Sequence, residues 1–430
     1  MAAGLALRDR EKYRGGRMKL IRTEEAEGAV LCHDITQIIR GVTKDAVFRK
    51  GHIVTKEDIP VLLSVGKDQL YVWEKQEGML HEDEAAEILC RMCMKGSAAG
   101  ADGAARVSAP DAEAEGAALV SAPDTGEDGT ALGSAPDAGE NKAVSVSPAN
   151  AGQTGTSFMT RSQAKEGKIE ISAARDGLLK VDRAGLKAVN SFGQMMIATR
   201  HGGFAVKKGD KLAGTRIIPL VIEEKKMKAA EDACLAATGG RPILQLLPFL
   251  HKKVGIVTTG NEVFYGRIED TFTPVIEAKF AEYDAEVIGH EIWNDDDKKV
   301  TAAILRMIDA GADIVCCTGG MSVDPDDKTP LAIKNTGAGI VSYGAPVLPG
   351  AMFLLAYYQV KDGPRPRTVT IMGLPGCVMY AKRTIFDLVL PHVMADDRVT
   401  ADDLASLGEG GLCLNCPVCT FPNCGFGKGS

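Results

Sequence analysis

Three glycine-rich segments in the C-terminal half of the chain share one arrangement. Each follows a short apolar run and precedes a stretch with helical periodicity: Thr258-Thr-Gly-Asn-Glu262, Thr318-Gly-Gly-Met-Ser322 and Gly373-Leu-Pro-Gly-Cys377. Glycine lets the backbone approach a ligand closely, and the N–H groups of a helix N-terminus act as about half a positive charge. The segments therefore predict a site for a phosphate-bearing ligand. The chain has neither G-x-G-x-x-G nor G-x-x-x-x-G-K-[ST], so they predict neither a dinucleotide fold nor a P-loop kinase.

Two carboxylates lie close to these segments in the sequence. Asp270 precedes Thr273-Pro274 and Asp327 precedes Thr329-Pro330, and Thr-Pro is typical of a helix start. Each carboxylate could serve only as a helix cap or turn residue. Two acids beside an anion would repel it unless a divalent cation lay between them, so the pattern also predicts a Mg²⁺ site.

The elements that must position these residues alternate between strand and helix. Apolar strands are predicted at Val254–Val257, Glu286–Ile292, Asp313–Cys317 and Thr368–Met372, with amphipathic helices between them. Such alternation predicts an α/β fold with a doubly wound, mainly parallel sheet and helices on both faces. In such sheets the ligand binds beyond the carboxyl ends of the strands, where all three glycine segments lie.

The rest of the chain divides by composition. A small α/β domain and a β-rich domain with a connecting helix are predicted before the sheet domain, and a Cys-rich tail after it. The predicted boundaries are 18–95 for the small domain, 96–157 for a linker, 158–247 for the β-rich domain, 248–400 for the sheet domain and 401–430 for the tail. The linker is rich in Ala, Gly, Pro and acids and cannot bury enough apolar surface to offset the entropy of ordering it.

Net charge and cysteine usage exclude several classes of protein. The formal charge of the 430 residues is −7, and the linker alone carries nine acidic and two basic side chains, so the remainder is neutral. No basic surface for nucleic acid is indicated. There is no apolar run long enough for a membrane span and no signal peptide, and most of the eleven cysteines are scattered, so the composition predicts a cytoplasmic protein.

Four cysteines crowd into the tail, at Cys413, Cys416, Cys419 and Cys424. Four thiolates within twelve residues suit a tetrahedral Zn²⁺ or an iron–sulfur cluster. The spacing matches neither a standard zinc motif nor the ferredoxin run, and transient delivery of a soft metal or a metal-free tail stays open. A fifth cysteine, Cys377, lies in a predicted ligand loop at a helix N-terminus, where the pKa of a thiol is expected to fall.

The motifs resemble those of the molybdenum-cofactor biosynthesis family, which includes molybdopterin molybdenumtransferases and adenylyltransferases. Thr259-Gly-Asn-Glu262 is similar to T-G-[DN]-E, Asp270-Thr271 to D-[ST]-N, Thr318 to Asp327 to T-G-G-x-S-x-x-x-x-D, Pro349-Gly350 to P-G, and Gly373 to Gly376 to G-L-P-G. Phe272 and Cys377 stand where the family has Asn, and the tail stands where the transferases have a C-terminal β domain.

The resemblance implies a site for molybdopterin and a role for each matching residue. Asp270 and Asp327 are the implied catalytic and metal-binding residues. The implied cofactor-binding residues are Thr259, Gly260, Asn261, Glu262, Thr318, Gly319, Gly320, Ser322, Pro349, Gly350, Gly373, Pro375, Gly376 and Cys377.

The implied reaction is insertion of molybdate into adenylylated molybdopterin with release of AMP, assisted by Mg²⁺, in a homo-oligomer. The alternatives are a non-catalytic molybdopterin carrier or sensor, whose tail docks a molybdoenzyme, and a molybdopterin adenylyltransferase.

Overall fold

The computed structural model describes residues 19–39, 43–49, 52–72, 78–95, 158–321, 328–360 and 367–429. The predicted linker lies outside these residues.

The first unit is built from two short antiparallel ribbons and one helix. Its elements are β1 (Lys19–Arg22), β2 (Ile35–Ile39), β3 (Thr43–Phe48), α1 (Asp58–Ser64) and β4 (Gln69–Val72). Strand β1 pairs with β4, and β2 pairs with β3. Leu31, Ile35, Leu62 and Leu70 are fully buried and form its core, so this core is small and separate from the others.

The second unit is rich in strands. Its elements are β5 (Met79–His81), α2 (Glu82–Met94), β6 (Met159–Arg161), β7 (Lys168–Ala173), β8 (Gly177–Val181), α3 (Arg183–Asn190), β9 (Met195–Thr199), β10 (Phe204–Val206), β11 (Lys211–Ile217), β12 (Val221–Glu223), α4 (Glu224–Thr238) and β13 (Leu244–Pro248). Two antiparallel sheets, in the orders β6-β7-β11-β9 and β10-β8-β13, enclose one apolar core.

Helix α2 packs in this second core. Its Leu89, Met92 and Cys93 side chains are fully buried there with Ile169 and Ile171 of β7. Strand β5, just before the helix, pairs with β12. The apolar face of α2 is visible in the sequence, but its packing partner is the strand-rich unit and not β1 to β4, with which the 18–95 division groups it.

The third unit contains a six-stranded mixed sheet. Its elements are β14 (Lys253–Thr259), α5 (Asn261–Phe264), α6 (Phe272–Ala281), β15 (Glu286–Trp293), α7 (Asp297–Asp309), β16 (Ile314–Thr318), α8 (Thr329–Asn335), β17 (Gly339–Tyr343), β18 (Leu354–Val360), β19 (Arg367–Leu374), a 3-10 turn (Gly376–Met379), α9 (Ile385–Met394) and α10 (Ala401–Ser406). The strand order is β15-β14-β16-β19-β18-β17. The first four strands are mutually parallel, whereas β18 is antiparallel to both of its neighbours.

Helices cover both faces of this sheet, as predicted. Because side chains alternate along a strand, Cys316 of β16 faces one core with α6 and α9, and Cys317 faces the other with α7 and α8. Both thiols are fully buried, and burial raises the pKa of Cys317 to about 12. These two cysteines are core residues.

After α10, the described residues 407–429 of the Cys-rich tail contain no helix or named strand, yet they pack against the sheet unit. The Leu348 amide donates to the Gly411 carbonyl and the Cys413 amide donates to the Leu348 carbonyl, both at 2.8 Å. Phe426 is 4% exposed and belongs to the core that contains α9. None of the helices in the described part of the chain combines the length and apolar character needed to cross a bilayer.

Candidate functional site

The register of the parallel strands brings the three glycine segments to one edge of the sheet. Thr258 of β14 pairs with Thr318 of β16, and Thr318 pairs with Leu374 of β19. The residues that follow each strand therefore lie side by side, in agreement with the sequence prediction. Strand β18 starts at the same edge, because Leu354 pairs with Gly373.

Two of the segments are in direct backbone contact. Gly319 has φ +79°, and a Cβ there would collide with the carbonyl oxygen of Thr259. The Thr329 hydroxyl donates to the Gly319 carbonyl at 2.7 Å and lies 3.0 Å from the Thr259 hydroxyl. Gly320, at φ +53°, is also close to Thr329. Only glycine at position 319 permits this approach, so the first two loops form one continuous surface.

The remaining motif residues surround this surface. Asn261 and Glu262 form the first turn of α5, and a Cβ at Gly260 would lie 3.0 Å from the Glu262 carboxylate. Pro375 precedes the 3-10 turn, and a Cβ at Gly376 would meet no atom within 4 Å. Space is therefore open to a ligand above Gly376.

Pro349 and Gly350 lie at the same edge, but they precede a strand (β18), whereas the glycine segments follow strands. Gly350 has φ +129°, and a Cβ there would lie 2.7 Å from the Cβ of Ile385. The Ile385 amide donates to the Pro349 carbonyl at 3.2 Å. These contacts place the Pro349–Gly350 element against the start of α9, immediately before β18.

Asp270 is the centre of a hydrogen-bonded network beneath the edge. Its Oδ1 accepts from the amides of Phe272 (2.9 Å) and Thr273 (3.1 Å), and its Oδ2 accepts from the Thr273 hydroxyl at 2.6 Å. Burial alone would raise the pKa of Asp270. The hydrogen bonds from Thr273 and Phe272, together with the nearby His290, outweigh burial and lower the pKa below its ordinary value. Asp270 is therefore a charged cap that fixes the start of α6.

His290 belongs to the same network, although the sequence analysis did not single it out. Its Nε2 lies 2.9 Å from the Thr258 hydroxyl, 3.2 Å from the Thr273 hydroxyl and 3.4 Å from Asp270 Oδ2. The Thr318 hydroxyl donates to that of Thr258 at 3.1 Å. Strand β15 lies beside β14, and this adjacency is the signal that could have identified His290.

Asp295 lies in an acidic run, Asp295–Asp297, that is expected to begin a helix, but its carboxylate also contacts the first glycine segment. Its Oδ2 accepts from the Asn261 amide at 3.1 Å, whereas Asp296 caps α7. Asp295 follows β15, whose Trp293 pairs with Thr259. Asp295 therefore lies at the same edge of the sheet as the glycine segment that follows β14. The Asn261 N–H, one of the backbone donors expected to bind a phosphate, thus already donates to the Asp295 carboxylate.

The described residues do not make a magnesium site. Both oxygens of Asp270 are engaged by hydrogen-bond donors, and Asp327 and Ser322 lie outside the described residues. Across the described ranges, no three His, Cys, Asp or Glu side chains form a group that could hold one metal ion. That statement includes the tail, where Cys416 and Cys419 are exposed and Cys413 and Cys424 are half-buried.

Cys377 departs from its expected chemistry. Burial raises the pKa of its thiol above the ordinary value, and its own backbone amide opposes this only in part. The helix that follows is a single 3-10 turn, Gly376–Met379, which provides little dipole. The expectation of a lowered pKa was wrong, and Cys377 is a neutral thiol at neutral pH.

Comparison with protein families supports the resemblance over the domain that carries the motifs. Residues 255–395 match the family described as "Probable molybdopterin binding domain". The chain therefore contains a molybdopterin-binding-type domain related to molybdenum-cofactor biosynthesis proteins. Residues 20–74 match a domain of unknown function, DUF8806.

The curated relatives cover only part of the chain. A molybdopterin molybdenumtransferase from Nostoc sp. is 29% identical over 188 residues, which are 42% of this chain and 40% of that protein. A CinA-like protein from Mycobacterium avium is 32% identical over 77 residues, 18% of each chain. The chain thus spans less than half the length of these relatives.

Two solved structures align with about a third of the chain. The tungsten cofactor synthesizing protein MoaB from Pyrococcus furiosus shares 21% identity over 35% of this chain and 98% of its own, with a TM-score of 0.29. The molybdopterin biosynthesis enzyme MoaB from Thermus thermophilus shares 21% identity over 33% of this chain and 91% of its own, with a TM-score of 0.25.

Proposed function

We propose that the chain inserts molybdate into adenylylated molybdopterin and releases AMP. The observation that carries the proposal is the register of Thr258, Thr318 and Leu374, which places three glycine segments at one sheet edge. The match of residues 255–395 to a molybdopterin-binding family supports the pterin as the ligand. The relationship to a molybdenumtransferase supports the reaction type.

In this proposal the glycine segments bind and orient, and the network beneath them keeps their geometry. The open space at Gly376 receives the phosphate-bearing end of the ligand, where backbone N–H groups follow a strand. Asp270 and His290 act as positioning residues, because they fasten α6 to the ends of β14 and β16. Because the described residues do not fit a Mg²⁺ ion, we derive no step through one. The proposed catalytic role of Asp327 rests on its motif alone.

A pair of glycine substitutions tests the location of the site. A Cβ at Gly376 and a Cβ at Gly214 of β11 would both meet no atom within 4 Å, and neither glycine has a positive φ. Gly376→Val should lower molybdopterin binding at least tenfold, because its side chain enters the ligand space. Gly214→Val is the matched control and should bind normally. Equal affinity of the two variants would refute the location.

Product analysis tests the reaction itself. The full chain is incubated with adenylylated molybdopterin and molybdate, and AMP is quantified by chromatography. AMP release above the blank, reduced in Gly376→Val, supports the insertion reaction. Tight pterin binding without AMP release would reject catalysis and leave the carrier as the function.

A further inference from the structure

The Cys-rich tail is anchored at two points, and a short loop lies between them. Leu348 holds the start of this segment through hydrogen bonds to Gly411 and Cys413. Further along the tail, the Phe421 ring meets the Phe204 ring edge-on, with the ring centroids 5.7 Å apart. The residues between Cys413 and Phe421 therefore form a loop that is fixed on both sides.

This loop carries the two exposed cysteines of the chain. All eleven cysteines lie in the described ranges, and of these only Cys416 and Cys419 are exposed. Cys316 and Cys317, by contrast, are fully buried between the sheet and its helices. A thiol reacts only if its partner can reach it, so Cys416 and Cys419 are the accessible pair.

The spacing and the local backbone suit a reaction between these two thiols. They are separated by Pro417 and Val418, where the chain bends. The Lys382 ammonium donates to the carbonyls of Pro417 (3.0 Å) and Cys416 (3.4 Å), and so holds the first half of the bend. C-x-x-C is the spacing of redox-active dithiols, because two intervening residues allow the two sulfurs to meet.

The space beside the thiols is positively charged. Both cysteines line a cavity of about 390 Å³ together with Lys382 and Arg383, and none of the described residues that line it is acidic. Arg383 pairs with Asp387 at 2.8 Å, whereas Lys382 contacts no carboxylate within the described part of the chain. The unpaired charge of Lys382 favours the approach of a negatively charged reactant.

We propose that Cys416 and Cys419 form a thiol–disulfide exchange site for small, negatively charged disulfides such as oxidised glutathione. One thiolate of the pair attacks a sulfur of the small disulfide and expels one glutathione thiolate. The other thiolate then attacks the resulting mixed disulfide and expels the second. The two protein thiols lose two protons and two electrons, and the small disulfide becomes two thiols. The inference is independent of the pterin site, since neither cysteine belongs to a glycine segment.

Peptide mapping of the full chain tests the pairing. The protein is reduced, freed of reductant and metal, treated with oxidised glutathione and alkylated before mass spectrometry. A disulfide between Cys416 and Cys419 is expected, and dithiothreitol should reverse it. Cys416→Ser and Cys419→Ser should each stop at a glutathione adduct on the remaining cysteine of the pair, because the second attack is lost.

The half-buried tail cysteines provide the control for this experiment. Cys413→Ser should still form the disulfide between Cys416 and Cys419, since Cys413 is less accessible than either. Circular dichroism of each variant checks that the fold persists. The absence of a disulfide would overturn the proposal, and so would a disulfide that joins Cys416 or Cys419 to Cys413 or Cys424.

Exchange rates of Lys382→Gln test the preference for a negatively charged disulfide. Loss of one positive charge should slow the reaction with oxidised glutathione about threefold at low salt. The neutral bis(hydroxyethyl) disulfide should react at the wild-type rate, which also shows that the bend is intact. Lys334→Gln removes an exposed charge from α8, on the other face of the sheet, and should leave both rates unchanged. A Lys382→Gln rate that is unchanged with oxidised glutathione, or lowered equally with both disulfides, would overturn the charge preference.

Discussion

Replacement of Asp270 separates its structural contribution from any role toward a ligand. The carboxylate accepts hydrogen bonds from two amides and from the hydroxyls of Thr273 (2.6 Å) and Thr258 (3.3 Å), and its side chain is 11% exposed. Loss of a helix cap costs about 1 kcal/mol. Leaving the buried Thr258 and Thr273 hydroxyls short of an acceptor adds about 1 to 2 kcal/mol. Asp270→Ala should therefore destabilise the domain by about 2 to 3 kcal/mol.

The measurement is differential scanning calorimetry of wild type, Asp270→Ala and Asp270→Asn. For a domain of this size, about 1 kcal/mol lowers the midpoint by about 2 to 4 °C, so Asp270→Ala should lower it by about 4 to 12 °C. Asp270→Asn retains one acceptor oxygen for the amides and should lose about half as much. A midpoint for Asp270→Ala within about 2 °C of wild type would refute the capping network.

The difference in midpoint between wild type and Asp270→Ala should depend on pH, in a direction set by the lowered pKa of Asp270. The pKa of Asp270 is lower in the folded protein than its ordinary value of 3.8. Its stabilisation is therefore fully present above that value and is lost as the pH falls through the folded pKa. The midpoints of wild type and Asp270→Ala should converge on acidification. A difference that stays constant down to about pH 3 would show that the charge of Asp270 does not contribute.

Two further predictions concern the glycine edge and the junction between units. Gly319→Ala should lower the calorimetric midpoint, because its Cβ would collide with the Thr259 carbonyl and φ is positive at this position. Gly376→Ala should leave the midpoint unchanged, because its Cβ would meet no atom within 4 Å. Equal midpoints for the two variants would contradict the close approach of the loops. Asp397 accepts from Lys180 of β8 and lies 2.7 Å from His392 Nδ1; burial would raise its pKa, but these partners lower it. On acidification from about pH 6 to about pH 3, the free energy of unfolding of Asp397→Asn should therefore fall less than that of wild type. Urea unfolding at each pH measures this difference.

The parallel core of the sheet and the edge at which the glycine segments meet were predictable from local patterns. Apolar runs that end in glycine and are followed by helical periodicity define parallel strands, and parallel strands end at one edge. Thr258, Thr318 and Leu374 are in register as this argument requires. The antiparallel strand β18 was not predicted, because an apolar strand has the same periodicity in either direction.

The roles of the charged residues were less predictable. For Asp270, helix capping and metal binding require the same carboxylate at the same spacing, and only the contacts to Phe272 and Thr273 show that it caps. His290 was missed because its partners are distant in sequence. The pKa of Cys377 was predicted with the wrong sign, because a sequence motif indicates the helix end but not the burial around it.

The tail and the antiparallel strand together explain how distant segments meet at one site. Because β18 is antiparallel to β19, the residues that precede β18 lie where the parallel strands end, and so Pro349–Gly350 lies at the edge that carries the glycine segments. The backbone of Leu348, one residue earlier, then binds the tail at Gly411 and Cys413. These contacts are made by backbone groups, which carry no side-chain pattern. A segment that composition alone would leave as a free Cys-rich end is thus fixed beside Pro349–Gly350, and its four cysteines are among the residues that line one cavity.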